Sequence, residues 1–350
     1  MEKRPDAPLL RKHQSIGIKI ESESYEYTEG AVQKSLIKNR IKEEWKNARS
    51  GLAGTFFNIL NVMVGTGIVV LPNMMLQTGK VLGVFVFIFD AILATLSIYV
   101  IQTVSVELNA NSFAELAAAQ FGIVRSRRIV NSLLILALFG PIISYFIILG
   151  DIAMTTFPNY NWIIVKSAAI IVSAGITVYF CLKRNLAQIS ITSLFVFGSL
   201  VLFLSVLFGK YFSEELSKEN FYSPRYSIEL FASIPGAYMA LNCHNNFYQV
   251  RESMRNKDQN EYTIVKVFGA AFTFCALAYI LVALTGLSLY GTEVKHDILL
   301  NIAKDGFGGH LIRVAYTIIP LMSIPVLFLV AKQSLIDMVF EQKPGGPDIP

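Results

Sequence analysis

Apolar runs of eighteen or more residues recur along the chain from residue 54 onward, separated by short segments that are polar and mostly basic. A helix of that length covers a hydrocarbon core about 30 Å thick. Helices satisfy their backbone hydrogen bonds internally, which is what lets them cross lipid. The pattern predicts eight spans, at 54–76, 81–106, 129–150, 160–182, 189–208, 228–250, 264–290 and 310–338. Three regions follow: a basic N-terminal segment at 1–50, a helical bundle at 51–338 and a short tail at 339–350. The first 50 residues contain no apolar run, so the first span is expected to act as the insertion signal.

Composition agrees with lipid as the solvent. Charged residues make up 16% of the chain, against about 25% in a typical soluble domain. Basic residues gather in alternate loops: Arg125, Arg127 and Arg128, then Lys183 and Arg184, then Arg251, Arg255 and Lys257. With the eleven Lys and Arg of residues 1–50, these are expected on the cytoplasmic side, which places both termini there. The net charge of +5 points to a membrane surface and not to nucleic acid. Cys181, Cys243 and Cys275 lie in apolar segments without CxxC or Cys/His spacing, which argues against a disulfide framework or a zinc site. No nucleophile–base pair marks an enzyme, and no ring or filter motif marks a channel.

Two spans are interrupted. The first reads GTFFNILNVMVGTGIVVLPNMM, with Gly65-Thr66-Gly67 near its middle; the sixth reads ELFASIPGAYMALNCHNNFY, with Pro235-Gly236 near its own. Each break alone is compatible with packing glycines or a proline kink. As a pair, five spans apart, they point to a transporter site, because free N–H and C=O groups at mid-membrane are tolerated where they line a cavity or hold a ligand.

A zwitterionic solute at such breaks needs a positive half-helix end for its anionic group and free carbonyls for its cationic one. The N–H groups around Gly65, Thr66, Gly67 and Ile68 are candidates for the first, where glycine admits close approach. The carbonyls near Ser233, Ile234 and Gly236 are candidates for the second. Neither break carries a charged side chain, which favours a small neutral substrate.

Other polar positions within or beside the spans have two readings each. Asp90, near the centre of the second span, is either a coupling-proton site or a neutral structural acid. His244 is a pH sensor or an ordinary core histidine. Lys166 and Asp151 sit near span ends, where long side chains reach the interface. Residues 32–49 form an amphipathic helix on the inner leaflet or a solvated linker, and Asp6-Ala7-Pro8-Leu9-Leu10 has the DxxLL form of a sorting signal.

The segment Phe56-Phe57-Asn58-Ile59-Leu60-Asn61-Val62-Met63-Val64-Gly65-Thr66-Gly67-Ile68 resembles the first-helix signature of the amino acid/auxin permease family, which includes the sodium-coupled neutral amino acid transporters. Leu71-Pro72, Gln77-Thr78-Gly79, Ser233-Ile234-Pro235, Cys243-His244, Tyr290-Gly291 and Ser323-Ile324-Pro325 continue the likeness in order. The resemblance implies an all-α polytopic fold of the five-plus-five inverted-repeat kind, and secondary transport of small neutral amino acids by alternating access, coupled to sodium or protons.

The resemblance also implies that side-chain oxygens of Asn61 and Ser323 hold sodium; an interhelical hydrogen bond is the other reading of that pair. The family usually has eleven spans, and this chain stops after its eighth. A membrane-protein partner or self-association is therefore expected to complete the bundle, because the eighth span would turn Ser323, Tyr316 and Thr317 toward lipid. The alternative function is a non-transporting subunit or amino-acid sensor that keeps the broken helices. Lipid is a contact under either reading, in a plasma or organellar membrane.

Overall fold

In the computed structural model the described residues are 50–339, apart from 122–123, 158, 183–185, 218–220, 222, 225–227, 256–257 and 303–305. The amphipathic segment, the DxxLL sequence and the tail from 340 onward lie outside them. The described chain is helical, and its single extended pairing is an isolated parallel bridge between Ser50 and Met254.

In chain order the helices are α1 (Leu52–Met63), a 3-10 turn (Thr66–Val70), α2 (Leu71–Thr78), α3 (Lys80–Glu107), α4 (Phe113–Phe121), α5 (Val124–Thr156), α6 (Trp162–Cys181) and α7 (Leu186–Ser213). There follow α8 (Ile228–Ala240), a 3-10 turn (His244–Asn246), α9 (Phe247–Ser253), α10 (Glu261–Tyr290), α11 (Leu299–Ile302) and α12 (Gly306–Val339). Six helices among these residues are long and apolar enough to cross a membrane, and the bent pair Leu52–Met63 with Gly67–Thr78, at 56°, makes a seventh span. The remaining expected span, at 228–250, is divided between α8 and α9, each too short to cross alone. The protein is an all-α polytopic membrane protein.

Packing follows from which faces are apolar towards what. α12 lies along α5 and α7, and α3 lies along α10. α1 rests on α7 and α10, while α2 rests on α10 and α8. α1 is therefore flanked by continuous helices, while α8 packs mainly on α2 of the first interrupted span. The largest fully buried side chains include Tyr279, Tyr316, Phe203, Phe247 and Phe272. The outward faces are apolar too: Phe85, Phe89 and Ile92 on α3 and Ile164, Ile171 and Val178 on α6 are exposed, as expected where the solvent is lipid.

The eighth span corrects an expectation. Tyr316 is fully buried and Ser323 is 1% exposed, both turned into the bundle, and Thr317 donates back to the Arg313 carbonyl at 2.8 Å. Ser323 meets Asn61 of α1, and Tyr316 donates to Gly65 just beyond it.

Candidate functional site

The end of α1 and the residues just past it leave carbonyls without intrahelical partners, and three of these meet side-chain hydroxyls. Val64 N–H closes the last turn on Leu60 O at 2.7 Å, and the Ser323 hydroxyl lies 3.2 Å from Asn61 O. Tyr279 Oη donates to Met63 O at 2.7 Å, and Tyr316 Oη to Gly65 O at 3.4 Å. A third phenol, Tyr145 of α5, stands over Gly65: a Cβ there would lie 2.3 Å from its Oη. Glycine is required at 65 for this contact; its φ of −127° is open to any residue.

Beyond the break, the 3-10 turn opens with the N–H groups of Thr66, Gly67 and Ile68, whose N-cap residue, Gly65, has no side chain to cap them. Ile68 is fully buried, and a Cβ on Gly67 would lie 3.4 Å from that of Ala240. The start of the turn thus faces the end of α8.

The second interruption is displaced from its expected place. α8 runs through Pro235 without ending, so the carbonyls of Ser233, Ile234 and Gly236 lie within a helix, not at its free end. A proline costs the helix one backbone bond, which a membrane helix tolerates as a kink. Ile234 is 38% exposed, Ser233 is buried, and a Cβ on Gly236 would meet Met74 of α2 at 2.1 Å. The helix ends at Ala240, where Asn242 captures backbone: its Oδ1 accepts from His244 N–H at 3.2 Å. Short polar side chains of this kind compete with the helix for its own donors. The carbonyls of the last turn of α8 lie beside Gly67, whereas those of Ser233, Ile234 and Gly236 lie inside the helix.

A buried cluster of amides and hydroxyls lies beside the first break. Ser323 Oγ is 2.9 Å from Asn61 Oδ1, and Asn61 Nδ2 is 3.1 Å from Ser193 Oγ and 3.5 Å from Thr192 Oγ1. Ser193 donates onward to Asn58 Oδ1 at 2.9 Å. Asn61 and Ser323 are thus brought together, 262 residues apart in sequence. Three oxygens meet there, Asn61 O, Asn61 Oδ1 and Ser323 Oγ, of the hard kind that suits a small cation.

Asn246 joins α12 from the second break, donating to Val326 O at 3.3 Å. His244 is held by Ser97 Oγ at 2.6 Å from Nε2 and by Asn242 Oδ1 at 3.2 Å from Nδ1, with its ring on Phe272. Asp90 is buried, and neither of its oxygens has a hydrogen-bond partner among the described residues. Lys166 and Asp151 pair with each other at 2.6 Å between α6 and α5.

Sequence reasoning missed Tyr145, Tyr279, Tyr316, Asn58, Ser193 and Asn242 as parts of this region. Asn58 carried a signal, being three residues before Asn61 and so on the same helical face.

Residues 48–348 match the family described as transmembrane amino acid transporter protein. The chain belongs to that family. Among relatives of this transmembrane amino acid transporter family member, amino acid transporter AVT6E of Arabidopsis thaliana is 24% identical over 324 residues, covering 85% of this chain and 65% of that protein. Vacuolar amino acid transporter 5 of Schizosaccharomyces pombe is 24% identical over 259 residues, covering 72% and 61%. Mouse solute carrier family 38 member 10 is 18% identical over 300 residues, covering 83% and 27%. The chain thus spans just under two thirds of the length of the first two.

Proposed function

We propose that this chain takes part in carrying small neutral α-amino acids across a membrane by alternating access, coupled to sodium or protons. The observation that carries the reading is the meeting of the two interrupted helices, with Gly67 against Ala240. The uncapped N–H groups of Thr66, Gly67 and Ile68 receive the carboxylate at the positive end of a half-helix. The ammonium faces carbonyls of the last turn of α8. Tyr145 stands beside Gly65 as a further donor. No charged residue lies within either break segment, so the side chain of the substrate meets no ionic partner there.

A sodium ion, as co-transported cargo, would take Asn61 O, Asn61 Oδ1 and Ser323 Oγ at the negative end of α1. Of the other carbonyls at this break, those of Met63 and Gly65 already accept from tyrosines. The basic loops stay on the cytoplasmic side. Sidedness then places the Ser50–Met254 bridge, which joins the start of α1 to the end of α9, at the inner surface.

Reconstitution into liposomes tests the proposal. Uptake of labelled alanine, competed by other small neutral amino acids and not by lysine or glutamate, is expected. Absence of both uptake and equilibrium binding of neutral amino acids in folded protein would overturn it.

A further inference from the structure

We propose that Ser193 and Asn58 are positioning residues for the cation of the Asn61–Ser323 site. The inference rests on the sodium reading above and adds the side chains that decide which end of the Asn61 amide faces the ion.

An amide has an accepting end and a donating end, and a cation is served only by the first. Asn61 is fully buried, with Oδ1 towards Ser323 on α12 and Nδ2 towards Ser193 on α7. A serine beside an amide does not by itself choose between the ends, because a hydroxyl both donates and accepts. Ser193 does choose. It has one hydrogen, which it donates to Asn58 Oδ1 at 2.9 Å, the Asn58 amide standing the way round that leaves its own Nδ2 without a partner among the described residues. What Ser193 turns towards Asn61 is a lone pair, which accepts only from the NH2.

Donation therefore runs one way, from Asn61 Nδ2 to Ser193 Oγ and from Ser193 to Asn58 Oδ1. Turning the Asn61 amide over would set its oxygen against the Ser193 lone pairs and its NH2 against the cation. Both contacts are repulsive. Removing the Asn58 acceptor would free the Ser193 hydrogen to point at Asn61 and abolish the preference. α7 thus supplies no oxygen to the ion; it acts through the amide, as outer partners orient ligands in other ion sites.

The test is the thermal midpoint of the purified full chain, titrated with NaCl against choline chloride at constant ionic strength. The wild-type midpoint is expected to rise with sodium. Ser193→Ala should need about tenfold more sodium or beyond for the same rise, the scale of loss seen when such outer partners are removed. Ser193→Thr, which keeps the hydroxyl, should restore most of the response. Asn58→Ala should move the sodium requirement in the same direction with Ser193 still in place, and it carries the comparison if Ser193→Ala does not fold.

A wild-type sodium requirement in folded Ser193→Ala or Asn58→Ala, while Ser323→Ala loses its response, would overturn the positioning role alone. An equal response of the wild type to sodium and choline would overturn the sodium reading and this inference together.

Discussion

Tyr279 donates its phenolic hydrogen to the Met63 carbonyl at 2.7 Å, from the middle of α10 to the last residue of α1. The group it satisfies is a helix-end carbonyl, reached by a fully buried tyrosine. Tyr279→Phe should destabilise the fold by about 1–3 kcal/mol, the cost of an orphaned buried acceptor. Tyr316→Phe, whose bond to Gly65 O is 3.4 Å, should cost less. Thermal unfolding in detergent compares them, and an equal or larger loss for Tyr316→Phe would reverse the assignment.

Gly65→Ala should lower stability because the new methyl meets Tyr145 Oη at 2.3 Å. Tyr145→Phe removes that oxygen and leaves the ring carbon that bore it 3.2 Å away, so the double variant should recover part of the loss. A double-mutant cycle on unfolding midpoints measures the coupling, which is expected to be favourable. Additive losses would show that the phenol moves aside freely.

Gly67→Val should abolish binding of neutral amino acids while membrane insertion and folding persist. A Cβ at 67 already touches Ala240 at 3.4 Å, and two further methyl groups would fill the gap between the half-helix ends. Equilibrium binding of labelled alanine checks this. Binding at wild-type affinity would remove the 3-10 turn from the site.

Asp297 lies in the connection between α10 and α11, where burial pushes its carboxyl above the ordinary aspartate range; the Leu299 N–H that it accepts and the neighbouring His296 pull it partly back, and Asp151 pushes it up. A carboxyl raised in the folded state binds its proton more tightly there than in the unfolded chain. Its contribution is therefore fully present below the unfolded pKa and is lost as pH rises through the folded one. The same connection docks on the first broken helix, since Ile298 N–H donates to Val69 O at 3.1 Å. The wild type should thus gain stability relative to Asp297→Asn as pH falls through the acid range. Unfolding midpoints of the two proteins against pH test the sign, and parallel curves would contradict it.

The spans were legible in the sequence because apolarity over some twenty residues is a local property that lipid reads directly. Gly65-Thr66-Gly67 marked the first break for the same local reason, and Asn61 and Ser323 were recognisable from the motifs that hold them. The second break was not legible: Pro235 looks like the stronger helix breaker, yet the chain bends through it and ends at Ala240, where Asn242 takes the His244 N–H. The two weak helix sites lie seven residues or fewer apart, on a helix that packs on α2 and α3. Nor could one chain position reveal that Tyr279 and Tyr316 reach carbonyls 216 and 251 residues away, or that Ser193 turns the Asn61 amide. A hydroxyl in an apolar span announces that it needs a partner, because lipid offers none. Which partner it takes depends on helices that only the folded bundle brings together.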